Sequence, residues 1–170
     1  MQRIFIVLAV TTASFATTVH ADESFQRKAG HWNVTMNNGD KQAPMLAEFC
    51  LAADTDARIQ KATEGMMAGL CPKSTSHKEG NTYVTDSECR VGKQLTATHK
   101  VITVDGDHGY HMVITSHPVG KAGTESTSEM TGRWTGACPA GMEPGDELLH
   151  TSPTGPAGSK INVLKQLEGK

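Results

Sequence analysis

Histidine and methionine are the side chains here with donor atoms for metal chemistry, and their spacing decides what they can do. His31, His77, His99, His108, His111, His117 and His150 all lie beyond the apolar start of the chain. His111 and His117 share one face of a strand-like stretch, but six residues at about 3.4 Å each set them roughly 20 Å apart, too far to hold one ion. A centre would need His99 from a neighbouring strand beside His117, or Asp107 and His108 of a turn together with His111. Neither has the spacing of a known metal motif, so His99, His111 and His117 stand as metal candidates against a plainer reading as exposed strand and turn histidines. Met36, Met45, Met66, Met67, Met112, Met130 and Met142 carry the soft thioether that suits Cu(I). Three of them, Met36, Met45 and Met112, fall on expected core faces, where methionine fills gaps.

Nucleophilic catalysis has little to stand on. No Gly-x-Ser-x-Gly elbow presents a serine, and four cysteines in an exported chain read as two disulfides rather than thiolates. Asp86, Glu88, Asp105 and Asp107 sit in turns or at strand ends, where solvation is the default role, and Asp105-Gly106-Asp107 does not continue as a calcium loop. The formal net charge is −2 with no basic run, which excludes nucleic acid as a natural partner.

The cysteines also organise the fold. Gly80 lies midway between Cys71 and Cys89, so a hairpin turning there sets Lys73 opposite Ser87, Thr75 opposite Thr85 and His77 opposite Tyr83, with the cysteines opposed at the open end. Of the three pairings that four cysteines allow, this selects Cys71–Cys89 and leaves Cys50–Cys138 by elimination. Loop-closure entropy assigns about 3 kcal/mol to the short loop and about 4–5 kcal/mol to the long one. Export is indicated by Arg3, the apolar run Ile4 to Val10 and the small-x-small ending Val19-His20-Ala21, the layout of a cleavable signal peptide over residues 1–21. That run is far shorter than the ~20 residues a membrane span needs.

The elements that must position these groups are mostly strands. Trp32, Val34 and Met36 alternate onto one face, and Asn38-Gly39 signals a two-residue turn that sets Val34 opposite Ala43 and Trp32 opposite Met45. Asp54 is placed to cap a helix running to about Ala68, with Ile59, Met66 and Met67 buried and Gly69 at its stop. Tyr110, Met112 and Ile114 share another strand face. The pattern predicts a mainly β fold: an antiparallel meander curling into a small barrel or half-barrel, with one short α-helix and two disulfides. Residues 22–147 form this β domain, and the prolines and glycines of 148–170 read as a tail.

These residues resemble a family of exported bacterial proteins grouped as domain of unknown function 3617. The resemblance rests on Gly30-His31-Trp32, Phe49-Cys50-Leu51, Cys71 and Cys89 flanking Gly80-Asn81-Thr82, and Met130-Thr131-Gly132-Arg133-Trp134-Thr135-Gly136-Ala137-Cys138. It covers residues 29–145 and implies a small periplasmic β-rich protein with no assigned activity and no catalytic residues to transfer. The expected function is therefore a non-enzymatic, cofactor-free periplasmic domain that binds a small apolar ligand or an envelope partner. Trp32, Tyr110 and Trp134 are the aromatics expected to line its cavity. The alternative is a periplasmic copper- or zinc-handling protein in which His99, His111 and His117 converge.

Overall fold

The alternation of Trp32, Val34 and Met36 builds β1 (Gly30–Asn37), the strand around which the sheet assembles. A computed structural model describes residues 24–39, 43–121, 125–150, 158–167 and 169; the signal sequence expected over 1–21 lies outside them. Next come β2 (Met45–Leu51), α1 (Thr55–Ala68), β3 (Lys73–Glu79), β4 (Thr82–Val91) and β5 (Gln94–Asp105). The chain continues through β6 (Gly109–Pro118), β7 (Ser126–Gly136), β8 (Asp146–Leu149), β9 (Ser159–Asn162) and α2 (Val163–Leu167). All nine strands form one antiparallel sheet in the order β3-β4-β5-β6-β7-β1-β2-β8-β9. The end strands β3 and β9 do not pair, so the meander is an open half-barrel and not a closed barrel.

Two hairpins differ in register from their sequence expectation. β1 and β2 pair Trp32 with Phe49, Val34 with Ala47 and Met36 with Met45, not Trp32 with Met45 and Val34 with Ala43. Pro44 has no N–H to give to a ladder, so β2 begins after it and the connection is longer than Asn38-Gly39 alone. The displacement is an even number of residues, so every side chain keeps its face. In the cysteine hairpin the turn is two residues, Gly80-Asn81, with Gly80 at φ +61°. Lys73 therefore faces Glu88, Thr75 faces Asp86 and His77 faces Val84, one residue away from the symmetric fold about Gly80. Asn81 anchors this tighter turn on β5, its Nδ2 donating to the Val104 carbonyl at 3.0 Å and its own carbonyl accepting from Val104 N at 2.9 Å.

Cysteines pair as Cys50–Cys138 and Cys71–Cys89, and no cysteine is free. Two disulfides suit an oxidising compartment. The first ties β2 to the segment after β7, with Cys50 fully buried; the second ties the chain leaving α1 to β4. No helix among the described residues is long and apolar enough to cross a membrane.

The core lies on the inner face of the sheet, where buried Trp32, Leu51, Ile102 and Tyr110 are packed by Phe49, Tyr83, Val104, Met112, Met130 and Trp134. Gly132 pairs with Tyr110 across β6 and β7, and a Cβ there would collide with the tyrosine ring. Its bare backbone lets that ring lie flat across β7.

Helix α1 departs from the expected burial. Its buried residues are Thr55 and Asp56 in the first turn, Ile59 is half-buried, and Met66 and Met67 are exposed. Asp54 is the N-cap residue but makes no side-chain capping bond. The Thr55 hydroxyl closes the entry instead, accepting from Ala52 N at 2.8 Å. The sheet also runs on past Glu147, through the region whose composition reads as a tail. Asp146, 4 % exposed, is the hub there: Glu143 N, Asn162 Nδ2 and Lys160 Nζ all donate to its carboxylate at 2.9, 2.8 and 3.2 Å. Burial works to raise its pKa, but these bonds outweigh it and hold the carboxyl below the usual range.

Candidate functional site

Residues 25–29 form no helix or strand, yet they are among the best-bonded in the protein. They cross the inner face as a strap. Phe25 packs between Tyr83 and Tyr110, ring centroids 5.8 and 5.2 Å away. Arg27 lies 5.2 Å over the Phe49 ring and binds Asp56 three times: backbone N to Oδ2 at 2.7 Å, and Nε and Nη2 to Oδ1 at 3.0 and 2.6 Å. Gln60 of α1 donates from Nε2 to the Phe25 carbonyl. Further along, Lys28 and Ala29 give their carbonyls to the two indoles, Trp32 Nε1 at 2.9 Å and Trp134 Nε1 at 3.0 Å. The Lys28 ammonium sits 3.5 Å over the Trp134 ring and bonds Asp107 at 2.9 Å.

Between this strap and the sheet is a cleft of about 460 Å³, walled by Phe25, Arg27, Trp32, Tyr83, Val104 and Asp107 among others. Its charged groups are already engaged. Burial would lower the Arg27 pKa, but hydrogen bonding and charge from Asp56 raise it above the ordinary value. The bond from Lys28 holds the Asp107 carboxyl below the usual range. Burial pushes the Tyr110 phenol up against the opposing charge of Arg27.

Of the aromatics expected at a cavity, Trp32 is at its wall, Tyr110 stands behind Phe25 in the core, and Trp134 packs beneath Lys28 with His108 at its edge. Phe25, Tyr83 and Val104 complete the wall. Phe25, the one apolar residue between Asp22 and Lys28, is the local sign of the strap in the sequence.

The metal candidates share the outer face without converging. His99 pairs with Asp86 at 2.7 Å, His111 lies 3.8 Å from Glu129, and His117 stands opposite Ala97 while His111 stands opposite Thr103. Among the described residues no three histidine, cysteine or acidic side chains gather to hold an ion. A different pair of histidines does meet a carboxylate: Glu48 Oε2 lies 2.8 Å from His31 Nε2, and Glu48 Oε1 lies 2.5 Å from His150 Nε2. His31 stands opposite Cys50 while His150 bonds the Leu46 carbonyl, so the imidazoles come from opposite ends of β2, their backbones about 14 Å apart along it. They clamp two different oxygens and do not share a ligand position.

Burial works to raise the Glu48 pKa, but the hydrogen bonds from His150 and His31 lower it below the ordinary value. A depressed carboxylate stabilises the fold above its unfolded pKa of about 4.3, and that contribution is lost as pH falls through the folded value. Glu48→Gln is therefore expected to lower the urea midpoint at pH 7 and to match the parent protein near pH 3. A difference that stays constant with pH would contradict this.

One protein-family model, described as "Protein of unknown function (DUF3617)", matches residues 27–138. No curated protein and no solved structure matches the chain. The matched span opens at Arg27 of the strap and closes at Cys138 of the long disulfide.

Proposed function

The chain belongs to the DUF3617 family, and from that premise we propose that it is an exported, non-enzymatic domain that binds a small apolar ligand in the cleft beneath residues 25–29. The observation that carries this reading is the cleft itself. Its volume of about 460 Å³ falls within the range of small-molecule sites, and its wall pairs Phe25, Trp32, Tyr83 and Val104 with charged groups already bound to one another. Recognition is left to apolar contact, worth about 25 cal/mol per Å² removed from water. The apolar start of the chain and the two disulfides support a periplasmic setting.

A neutral fluorescent probe, N-phenyl-1-naphthylamine, tests the proposal. The protein is expected to bind it with enhanced emission, and Val104→Trp, which fills the cleft, is expected to weaken binding at least about tenfold, or about 1.4 kcal/mol. Tyr83→Leu, which opens the wall without crowding it, should also weaken binding. Unchanged affinity in both variants would overturn the assignment.

A further inference from the structure

We infer that the end of the sheet where α1 hands the chain to β3 is a docking surface for an anionic phospholipid bilayer. The large exposed apolar side chains among the described residues are Leu46, Met66, Met67, Leu70 and Val119, and the last four gather at this end. Hydrogen bonds establish their adjacency. Leu70 N and Cys71 N donate to the Met67 carbonyl, and Arg90 N donates to the Leu70 carbonyl at 2.7 Å. Arg90 stands opposite Leu95, whose carbonyl accepts from Val119 N at 2.9 Å. Leu70, Arg90, Leu95 and Val119 thus sit side by side across neighbouring backbones.

Charge at this end differs from the rest of the surface. Several cations elsewhere are matched: Lys28 with Asp107, Arg133 with Asp105, Lys160 with Asp146 and Lys165 with Glu143. The nearest matched pair is Lys73 with Glu88 at 3.0 Å, and the nearby acid of α1, Glu64, acts on Lys100, while exposed Arg90, Lys93 and Lys121 have no carboxylate partner among the described residues. In a chain of net charge −2 this is a local positive field around an apolar patch. Apolar side chains that enter the headgroup boundary, ringed by cations facing lipid phosphates, are the two parts an interfacial membrane site needs. The Cys71–Cys89 bond adds preorganisation, fixing the end of α1 against β4 so that Met66, Met67 and Leu70 are held in place.

Sedimentation with sucrose-loaded vesicles tests this independently of the cleft. The full protein is expected to pellet with phosphatidylcholine vesicles containing half phosphatidylglycerol at 50 mM NaCl, to stay in solution with phosphatidylcholine alone, and to be released at 500 mM NaCl. Arg90→Glu/Lys93→Glu and, separately, Met67→Ser/Val119→Ser are each expected to reduce the bound fraction at least fivefold, with the thermal midpoint retained because all four sites are exposed. No pelleting with the anionic vesicles, or pelleting unchanged in both variants, would overturn the inference. So would a concentration-dependent dimer, seen by analytical ultracentrifugation and abolished by Met67→Ser/Val119→Ser, because it would give the patch to a second copy.

Discussion

Asp56→Asn is expected to lower the stability of the protein by about 3–5 kcal/mol, because it leaves a buried guanidinium without its anion. The Arg27 and Asp56 side chains are 14 % and 5 % exposed, and the pair is the main polar attachment between the strap and the first turn of α1. Asparagine keeps the size of the side chain and one acceptor oxygen, so the loss reports charge and not packing. Glu147 on β8 feels the field of Arg27, but burial raises its own pKa, which makes it a poor substitute counter-ion. Replacing both partners, Arg27→Met/Asp56→Leu, should recover most of the loss, since two apolar side chains carry no unpaired charge into the core. Urea denaturation gives the magnitude, and amide exchange at residues 25–29 should accelerate in the single variant before the sheet is affected. A single variant within about 1 kcal/mol of the parent would mean that the strap is held by Phe25, the two indole hydrogen bonds and Lys28, and not by this ion pair.

Removal of the Cys50–Cys138 bridge by Cys50→Ala/Cys138→Ala is the second large effect. The bridge spans 88 residues, and loop-closure entropy assigns such a loop about 4–5 kcal/mol against about 3 kcal/mol for the 18-residue separation of Cys71–Cys89. Cys50 is fully buried in β2, and its carbonyl accepts from Gly145 N at 2.8 Å, so the lost sulfur also leaves a void beneath the turn into β8. A fall in melting temperature of roughly 10–20 °C is expected, larger than for Cys71→Ala/Cys89→Ala. Calorimetry of the two variants checks the order. A reversed order would show that the bridge constrains the unfolded chain less than its length implies.

What was legible in the sequence was local. The alternation of Trp32, Val34 and Met36, and of Tyr110, Met112 and Ile114, gave strands with the right inner face. β5 carries apolar residues on both faces, so alternation alone does not orient it: Ile102 and Val104 point to the core, while Val101 lies between Val84 and Val113 in an apolar row on the outer face. Registers slipped where a turn was shorter than symmetry about Gly80 suggested, or where Pro44 delayed a strand. Met66 and Met67 fit a helical core stripe, but α1 buries its first turn and leaves its last one at the surface. The strap and the Glu48 clamp were illegible for one reason. Arg27 and Asp56 are 29 residues apart, and Glu48 meets histidines 17 and 102 residues away, so no spacing motif records them. Asp146 likewise draws partners from Lys160 and Asn162, 14 and 16 residues away in β9.

The central claim is that the cleft under the strap is where a ligand sits, and nuclear magnetic resonance of the ¹⁵N-labelled protein with N-phenyl-1-naphthylamine tests it most directly. Shift changes confined to the amides of residues 25–29, the Trp32 indole and the backbone at Tyr83 and Val104 are the predicted result. Changes centred instead on Met66 to Leu70 and Val119, or no saturable change at all, would contradict it.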